Sequence, residues 1–316
     1  MKKIFRLILA LMLVLSLSAP ALADTVRVAA LKGPTGMGVA HMIATNDGTY
    51  EFQLAGAPDE LTGAVINGSV DIAAVPTNLA AVLYNKTQGG VKLLALNTLG
   101  VLYVLEKGDT VHSVADLAGK TVVASGQGST PEYAMNYILE KQGVQDVTLD
   151  WRSEHSEVTT LAASGMADIV LVPEPHVTAL MTKDPSFRIA LDITEEFAAA
   201  AALDGKEGTV LSMGCFIVRT EYLESNPDAV ARFMEDCAAS IAYANENITA
   251  AAQEITDAGI LASAAVAESA IPKCHMVFIS GEDMKTQVAP LFDILYAAKP
   301  ASVGGTVPDD NFYYIP

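Results

Sequence analysis

The sequence has few of the residues on which reactive or cross-linked proteins depend. In 316 residues there are three cysteines, five histidines and one tryptophan. The cysteines, Cys215, Cys237 and Cys274, are odd in number. That rules out a complete disulfide framework and leaves room for at most one bridge. No C-x-x-C occurs, which argues against thioredoxin-like redox chemistry and zinc ribbons, so buried thiols are expected. The histidines, at 41, 112, 155, 176 and 275, are scattered and include no H-E-x-x-H. No metal is therefore expected. G-x-S-x-G is missing, and Gly119-Lys120-Thr121 lacks the earlier glycine of a P-loop and precedes a strand. No catalytic residue set is recognisable, and nothing calls for a cofactor.

Positive charge is also scarce. Nineteen Lys and Arg stand against 37 Asp and Glu, a formal charge of −18. Such a chain repels nucleic acid and anionic lipid, so neither is expected as a partner. Apart from the start, no apolar run approaches a membrane span. At the start, Lys2, Lys3 and Arg6 precede the apolar stretch Leu7–Leu17, and Ala21-Leu22-Ala23 follows. This is the pattern of a secretory signal peptide over 1–23, too short and wrongly flanked for an anchor. No cysteine follows it to carry a lipid. The mature chain is expected to begin near Asp24, outside the cytoplasm. Without the three leader cations, 16 basic residues face 37 acidic ones, a charge of −21.

The chain contains a duplication. "GSVDIAAVPTN" (Gly68–Asn78) is echoed by "GMADIVLVPEP" (Gly165–Pro175), and Asp71 and Asp168 are 97 residues apart. Around the first copy, "TVRVAAL", "YEFQLAG" and "VDIAAV" read as strands and "APDELTGAVING" as a helix opening at Asp59 and closed by Gly68. Around the second, "KTVVASG", "VTLDW" and "ADIVLV" read as strands, with helices over "STPEYAMNYILEKQG" and "SEVTTLAASG". Asp71 and Asp168 are expected to open the strand or cap the preceding turn. The order is the same, as expected for two similar α/β lobes with mostly parallel sheets covered on both faces. "VKLLALN" and "GVLYVLEKG" read as two strands joined at Asn97–Gly100, the second leading into the second lobe. "TVLSMGCFIVR" leads back, and helices at "PDAVARFMEDCAASIAYANEN", "AAQEITDAG" and "GEDMKTQVAPLFDILYAA" follow. Lobe one is therefore expected over 24–105 plus 213–316 and lobe two over 106–212, with two crossings as a hinge.

Ligands of open α/β sheets collect outside the carboxyl ends of the strands. Those ends carry Lys32-Gly33-Pro34-Thr35-Gly36, Pro76-Thr77-Asn78, "SGQGSTPEY" and Pro173-Glu174-Pro175-His176. In "SGQGSTPEY", Ser129 or Thr130 can cap a helix, Glu132 suits a capping box, and Gly126 and Gly128 let a ligand approach free amides that hold an anionic or carbonyl oxygen. Tyr103, Tyr133 and Trp151 are aromatic candidates for stacking on a flat ligand.

On "GSVDIAAVPTNLAAVL", "NTLGVLYVL", "DLAGKTVVASGQGSTPEYAMNYIL", "ASGMADIVLVPEPHVTAL" and "MGCFIVRTEYLESNPDAV", the chain resembles the substrate-binding proteins of ABC importers in the nitrate/sulfonate/taurine and thiamine-pyrimidine-precursor group. The resemblance covers nearly all of the mature chain. It implies a type II periplasmic-binding-protein fold, two lobes joined by a two-crossing hinge, that closes on a small molecule and docks on a membrane permease. The ligand positions it implies are Thr35, Gly36, Thr77, Asn78, Asn97, Thr98, Ser129, Thr130, Glu174 and Met213-Gly214. Gly128 joins them from the reading of its turn. No arginine falls in the cleft loops, which favours a neutral heteroaromatic ligand over a sulfonate, with an anion held by amides as the other choice. A monomer without catalytic activity is expected. The competing readings are an enzyme of the pyrimidine-precursor or menaquinone-pathway type on the same fold, and a ligand-sensing partner of a receptor.

Overall fold

The structure is a computed structural model that describes residues 25–152 and 154–316. The expected signal peptide and its cleavage near Ala23 lie outside the described residues. In chain order the first elements are β1 (Val26–Leu31), α1 (Pro34–Met37), α2 (Ala40–Ala44), β2 (Tyr50–Ala55), α3 (Pro58–Ile66), β3 (Ile72–Pro76), α4 (Thr77–Lys86) and β4 (Val91–Leu99). There follow β5 (Leu102–Lys107), β6 (Thr121–Ser125), α5 (Thr130–Lys141), β7 (Thr148–Arg152), α6 (His155–Ala163), β8 (Ile169–Pro173), α7 (His176–Lys183), β9 (Phe187–Asp192) and α8 (Ile193–Leu203). The last are β10 (Ser212–Arg219), α9 (Thr220–Ser225), α10 (Pro227–Glu246), α11 (Ile248–Asp257), α12 (Ala264–Ala270), β11 (Met276–Ser280) and α13 (Gly281–Ala298).

Two sheets result. The first has the order β11-β4-β10-β3-β1-β2 and the second β7-β6-β8-β5-β9. Read outward from β2 and β7 they match strand for strand: β2-β1-β3-β10-β4 against β7-β6-β8-β5-β9. In each, the strand antiparallel to the third one comes from the far side of a crossing, since β5 follows β4 of the first sheet and β10 follows β9 of the second. The duplication therefore extends to the crossings. The sheets are not mostly parallel, as expected, but mixed. Three strands pair in parallel in each, while the pairs β3–β10, β10–β4 and β4–β11 in the first and β8–β5 and β5–β9 in the second are antiparallel, so that β10, β11 and β5 run against the rest. The crossing strands enter from the opposite end, which reverses their direction. The expected 105/106 lobe boundary falls inside β5, and 212/213 falls one residue into β10.

Burial on both faces explains the near-continuous apolar strands. Along β3, Ile72 and Ala74 face one core and Ala73 and Val75 the other; β10 repeats this with Phe216 and Val218 against Cys215 and Ile217. Helices α10 and α11 pack into one of these cores, and α4 and α13 into the other. That second core continues without a break into the second sheet through Leu102, Val104, Val122 and Leu171. Burying a large aliphatic side chain is worth about 1.5–3 kcal/mol. All three cysteines are buried and free.

Gly68 and Gly165 close α3 and α6 with φ of 73° and 77°, the left-handed turn that glycine adopts without penalty. The repeated aspartates behave differently. Asp71 is buried and accepts from the Arg27 backbone N–H at 3.0 Å and from its Nε at 2.9 Å. This raises the Arg27 guanidinium above its ordinary value. Asp168 is exposed, and its backbone oxygen accepts from the Lys107 N–H at 2.7 Å. Asn97, Thr98 and Leu99, expected in a joining loop, are strand residues of β4. Asp59 is not a cap but lies in the first turn of α3.

Candidate functional site

A cavity of about 740 Å³ lies between the carboxyl ends of the two sets of strands. Each wall is made by a strand that ends and a helix that begins. In the first lobe β1 ends at Leu31, Lys32 follows, Gly33 turns with φ of 91°, and α1 brings in Pro34 and Thr35. β3 ends at Pro76, and the first turn of α4 supplies Asn78. In the second lobe Gly126 and Gly128, with φ of 91° and 75°, carry the chain from β6 to Ser129, Thr130 and Pro131 at the start of α5. β7 delivers His155, and β8 delivers Glu174, Pro175 and His176 across a cis Glu174–Pro175 bond. Leu31, Leu79, Val101, Leu102, Met213, Ile260 and Leu261 add an apolar lining.

Of the twelve residues expected from the sequence, seven line this cavity: Thr35, Asn78, Thr98, Ser129, Thr130, Glu174 and Met213. The other five are not among its lining residues. Asn97 is buried; its Nδ2 donates to the Thr35 carbonyl at 2.9 Å and its Oδ1 accepts from the Thr98 hydroxyl at 3.0 Å. Thr77 is buried too, with its hydroxyl 2.7 Å from that of Ser212. A Cβ on Gly214 would lie 2.5 Å from Asn97 Oδ1 and 3.0 Å from Thr35 Oγ1, and one on Gly36 would lie 2.4 Å from the Leu31 carbonyl oxygen. These glycines let β10 pack closely on Asn97 and Thr35, and α1 on the end of β1. Gly128 borders a groove between α5 and α13. Its N–H is taken by Glu132, and its carbonyl accepts from the Tyr133 hydroxyl at 2.8 Å. Half of the expected capping box forms, but on Gly128. The Ser129 hydroxyl donates to the Gly126 carbonyl at 2.7 Å and makes no cap bond to the helix.

The three aromatic candidates are not among the lining residues. Tyr103 is buried, and its hydroxyl donates to the Lys273 carbonyl at 2.9 Å. Trp151 packs against the shared core. The rings that do line the cleft are imidazoles. His155 and His176 are tilted with centroids 5.1 Å apart, and His155 Nδ1 lies 2.6 Å from the Ser125 hydroxyl oxygen. Burial lowers the affinity of both rings for a proton. His176 falls to about 4, with the charge His155 can carry as a second cause. Both are neutral near pH 7. His155 was readable as the first helical residue after a strand end, whereas Ile260 and Leu261 carry no such signal.

Charge in the cleft is sparse. Lys32 is the single lysine or arginine among the lining residues, and Glu174 the single acid. The Glu174 carboxylate is buried. It accepts from the Thr178 N–H at 3.2 Å and hydroxyl at 2.9 Å, and Lys273 Nζ stands 3.5 Å away. Burial raises its proton affinity, against the opposing pull of Lys273 and Thr178. Among the described residues no three His, Cys, Asp or Glu gather as a metal site, and no helix is long and apolar enough to cross a membrane.

Comparison with known proteins bears on this geometry. Residues 40–200 match the profile described as ABC transporter, phosphonate, periplasmic substrate-binding protein. No curated protein matches the chain. Among solved structures, an ABC transporter protein from Parabacteroides distasonis is 23% identical with a TM-score of 0.78, covering 92% of this chain and 98% of its own. The periplasmic aliphatic sulphonate-binding protein of Escherichia coli is 15% identical with a TM-score of 0.70, over 93% and 92%. The alkanesulfonate-binding protein of Xanthomonas axonopodis pv. citri, solved bound to MOPS, is 16% identical with a TM-score of 0.60, over 90% and 94%. At these identities the likeness is one of fold, and the expected two-lobed periplasmic-binding fold is the one found.

Proposed function

We propose, from the premise that this chain belongs to the family of phosphonate-type periplasmic substrate-binding proteins of ABC transporters, that its cleft binds one small organic molecule by an oxygen-bearing head group and an apolar body. The family places the chain outside the cytoplasm and in transport. Thr35, Asn78, Thr98, Ser129 and Thr130 are assigned to ligand contact, with Lys32, His155 and His176 beside them. The observation that carries the reading is the convergence of helix starts from both lobes on one cavity. First-turn amides of α4 and α5, with the Thr130 hydroxyl, suit an anionic or carbonyl oxygen. The apolar lining suits a short carbon chain or a heteroaromatic ring.

With one exposed lysine and no arginine, the cleft receives an anion mainly through neutral donors, so a phosphonate, a sulfonate and an uncharged heterocycle all remain in the ligand class. The lobes close about the two passages between the sheets, Leu99–Leu102 and the segment from Asp192 to Ser212. The closed monomer then meets a permease. The Ser125 hydroxyl, bonded to His155, belongs to a residue 1% exposed.

Titration calorimetry tests the assignment with methylphosphonate, ethanesulfonate and a 4-aminopyrimidine. One of the three classes should bind with one site per chain. The double variant Ser129→Ala/Thr130→Val should weaken it roughly 10- to 100-fold, two hydrogen bonds at about 0.5–1.5 kcal/mol each. An affinity unchanged in that variant would remove α5 from the site.

A further inference from the structure

Glu174 presents a problem of charge. Its side chain is 0% exposed, and a carboxylate so placed must be matched in hydrogen bonds and in charge. The hydrogen bonds come from its own lobe, from the backbone and hydroxyl of Thr178 on α7. The charge does not. Lys273 lies between α12 and β11, and β11 is the edge strand of the first sheet. Its ammonium stands 3.5 Å from Glu174 Oε1 and donates to the Thr178 hydroxyl at 3.1 Å and to the Ser269 carbonyl. This ion pair therefore joins the two lobes behind the cleft wall.

The neighbours of Lys273 make the same crossing. Its carbonyl accepts from the Tyr103 hydroxyl of β5, in the second sheet. Two residues on, His275 Nδ1 is 2.6 Å from the Gly100 carbonyl oxygen, at the passage between sheets, and its Nε2 is 3.9 Å from Asp192 at the other passage. His275 has φ of 42°, a left-handed conformation costly for a residue with a side chain and kept only where surroundings fix it. Beside the two crossings of the chain and the core shared by the two sheets, the turn Lys273–His275 is a further, polar connection between the lobes.

We propose that Lys273 is a positioning residue for ligand capture: carried by the first lobe, it clamps Glu174 in the second and so sets how far the ligand-free cleft opens. The proposal rests on the reading of this cleft as the ligand site. Parting the lobes separates the pair and lets water reach both charges. Removing the lysine alone leaves a buried carboxylate without its counter-charge, which takes up a proton or is hydrated as the lobes part; either way the tie between the lobes is lost. Opening and the ion pair are thus coupled, and a ligand that closes the lobes acts on an equilibrium the clamp has already biased.

The test needs no ligand. Spin labels at Asn67→Cys and Met166→Cys, one on each lobe and both exposed, report the inter-lobe distance by pulsed electron resonance, the three native thiols being buried. In the ligand-free protein Lys273→Met should move the mean distance by more than about 2 Å, the scale of a domain rearrangement, and broaden its distribution. Lys273→Arg, which keeps the charge, should hold the unsubstituted distribution. If Lys273→Met does not fold, Glu174→Gln removes the other charge without stranding a carboxylate and should shift the distance in the same direction. An unchanged distribution in a folded Lys273→Met, with only a lower melting temperature, would overturn the clamp and leave the pair a matter of stability. Because no ligand enters, a null result in calorimetry would count against the ligand site and not against the clamp.

Discussion

At the residue scale, polarity was legible in the sequence and direction was not. The strand-end rule picked out Thr35, Asn78, Ser129 and Thr130, the family resemblance added Thr98, and the structure puts all five on one cavity. The same rule chose Thr77, and the resemblance Asn97, whose polar atoms point inward to Ser212 and Thr35. Nothing in a string of letters separates a hydroxyl facing a ligand from one facing the next strand, because that depends on which residues of β4 and β10 lie alongside. Gly214 shows the same limit. A glycine in a strand announces a close approach, and the approach here is to Asn97 and Thr35 rather than to a ligand. His176 yields a prediction of its own. An unfolded chain takes up its proton near pH 6.5, whereas burial holds the folded group to about 4. Between those values the unfolded state binds more protons, so stability is lost as pH falls from about 6.5 to 4. Glu174, raised by burial, acts in the opposite sense, so the informative quantity is a difference between two chains. Melting temperatures of the wild type and of His176→Asn should draw together as pH falls through this window, the variant losing less. Parallel curves would show that His176 does not titrate as its burial implies.

At the element scale, two-sided burial made the central strands easy to read. β1, β3, β6 and β8 are short apolar runs closed by glycine or proline, β10 is an apolar run without that stop, and the structure bears each out. Of the four edge strands, β2 and β7 were expected and β9 and β11 were missed. β9 and β11 are largely half-exposed, so they lack both the continuous apolar run and a clean alternation. α8 was missed with β9, which leads straight into it. The repeated Gly-x-x-Asp motif shows how an element keeps its pattern while its chemistry diverges. Gly68 and Gly165 do the same thing, but Asp71 ties Arg27 of β1 to the start of β3, and Asp168 has no such partner because Lys107 of β5 meets its backbone. Asp71→Ala should therefore cost about 1–3 kcal/mol, the range for a buried charge-assisted hydrogen bond. Asp168→Ala should stay within about 0.5 kcal/mol, as at an ordinary surface site. Urea unfolding of the two variants decides this, and equal losses would mean that the motif works alike in both lobes.

At the scale of the whole molecule, composition excluded more than it identified. Acidity argued against nucleic acid and lipid, and the absence of catalytic motifs argued against the common enzyme classes. The duplication then suggested two lobes, and the matched strand orders of the two sheets carry it through to the crossings. What the sequence could not show was the connection through Lys273, because Lys273 and Glu174 are 99 positions apart and Lys273 lies outside the repeat. The central claim is that one small molecule is held, unchanged, between the lobes. Native mass spectrometry tests it most directly, after the mature protein has been incubated with a small-molecule extract of its own cells and desalted. The account predicts one added mass per chain, the same after prolonged incubation, and lost from Ser129→Ala/Thr130→Val. No retained mass, an equal mass on that variant, or a mass that changes with time would contradict it.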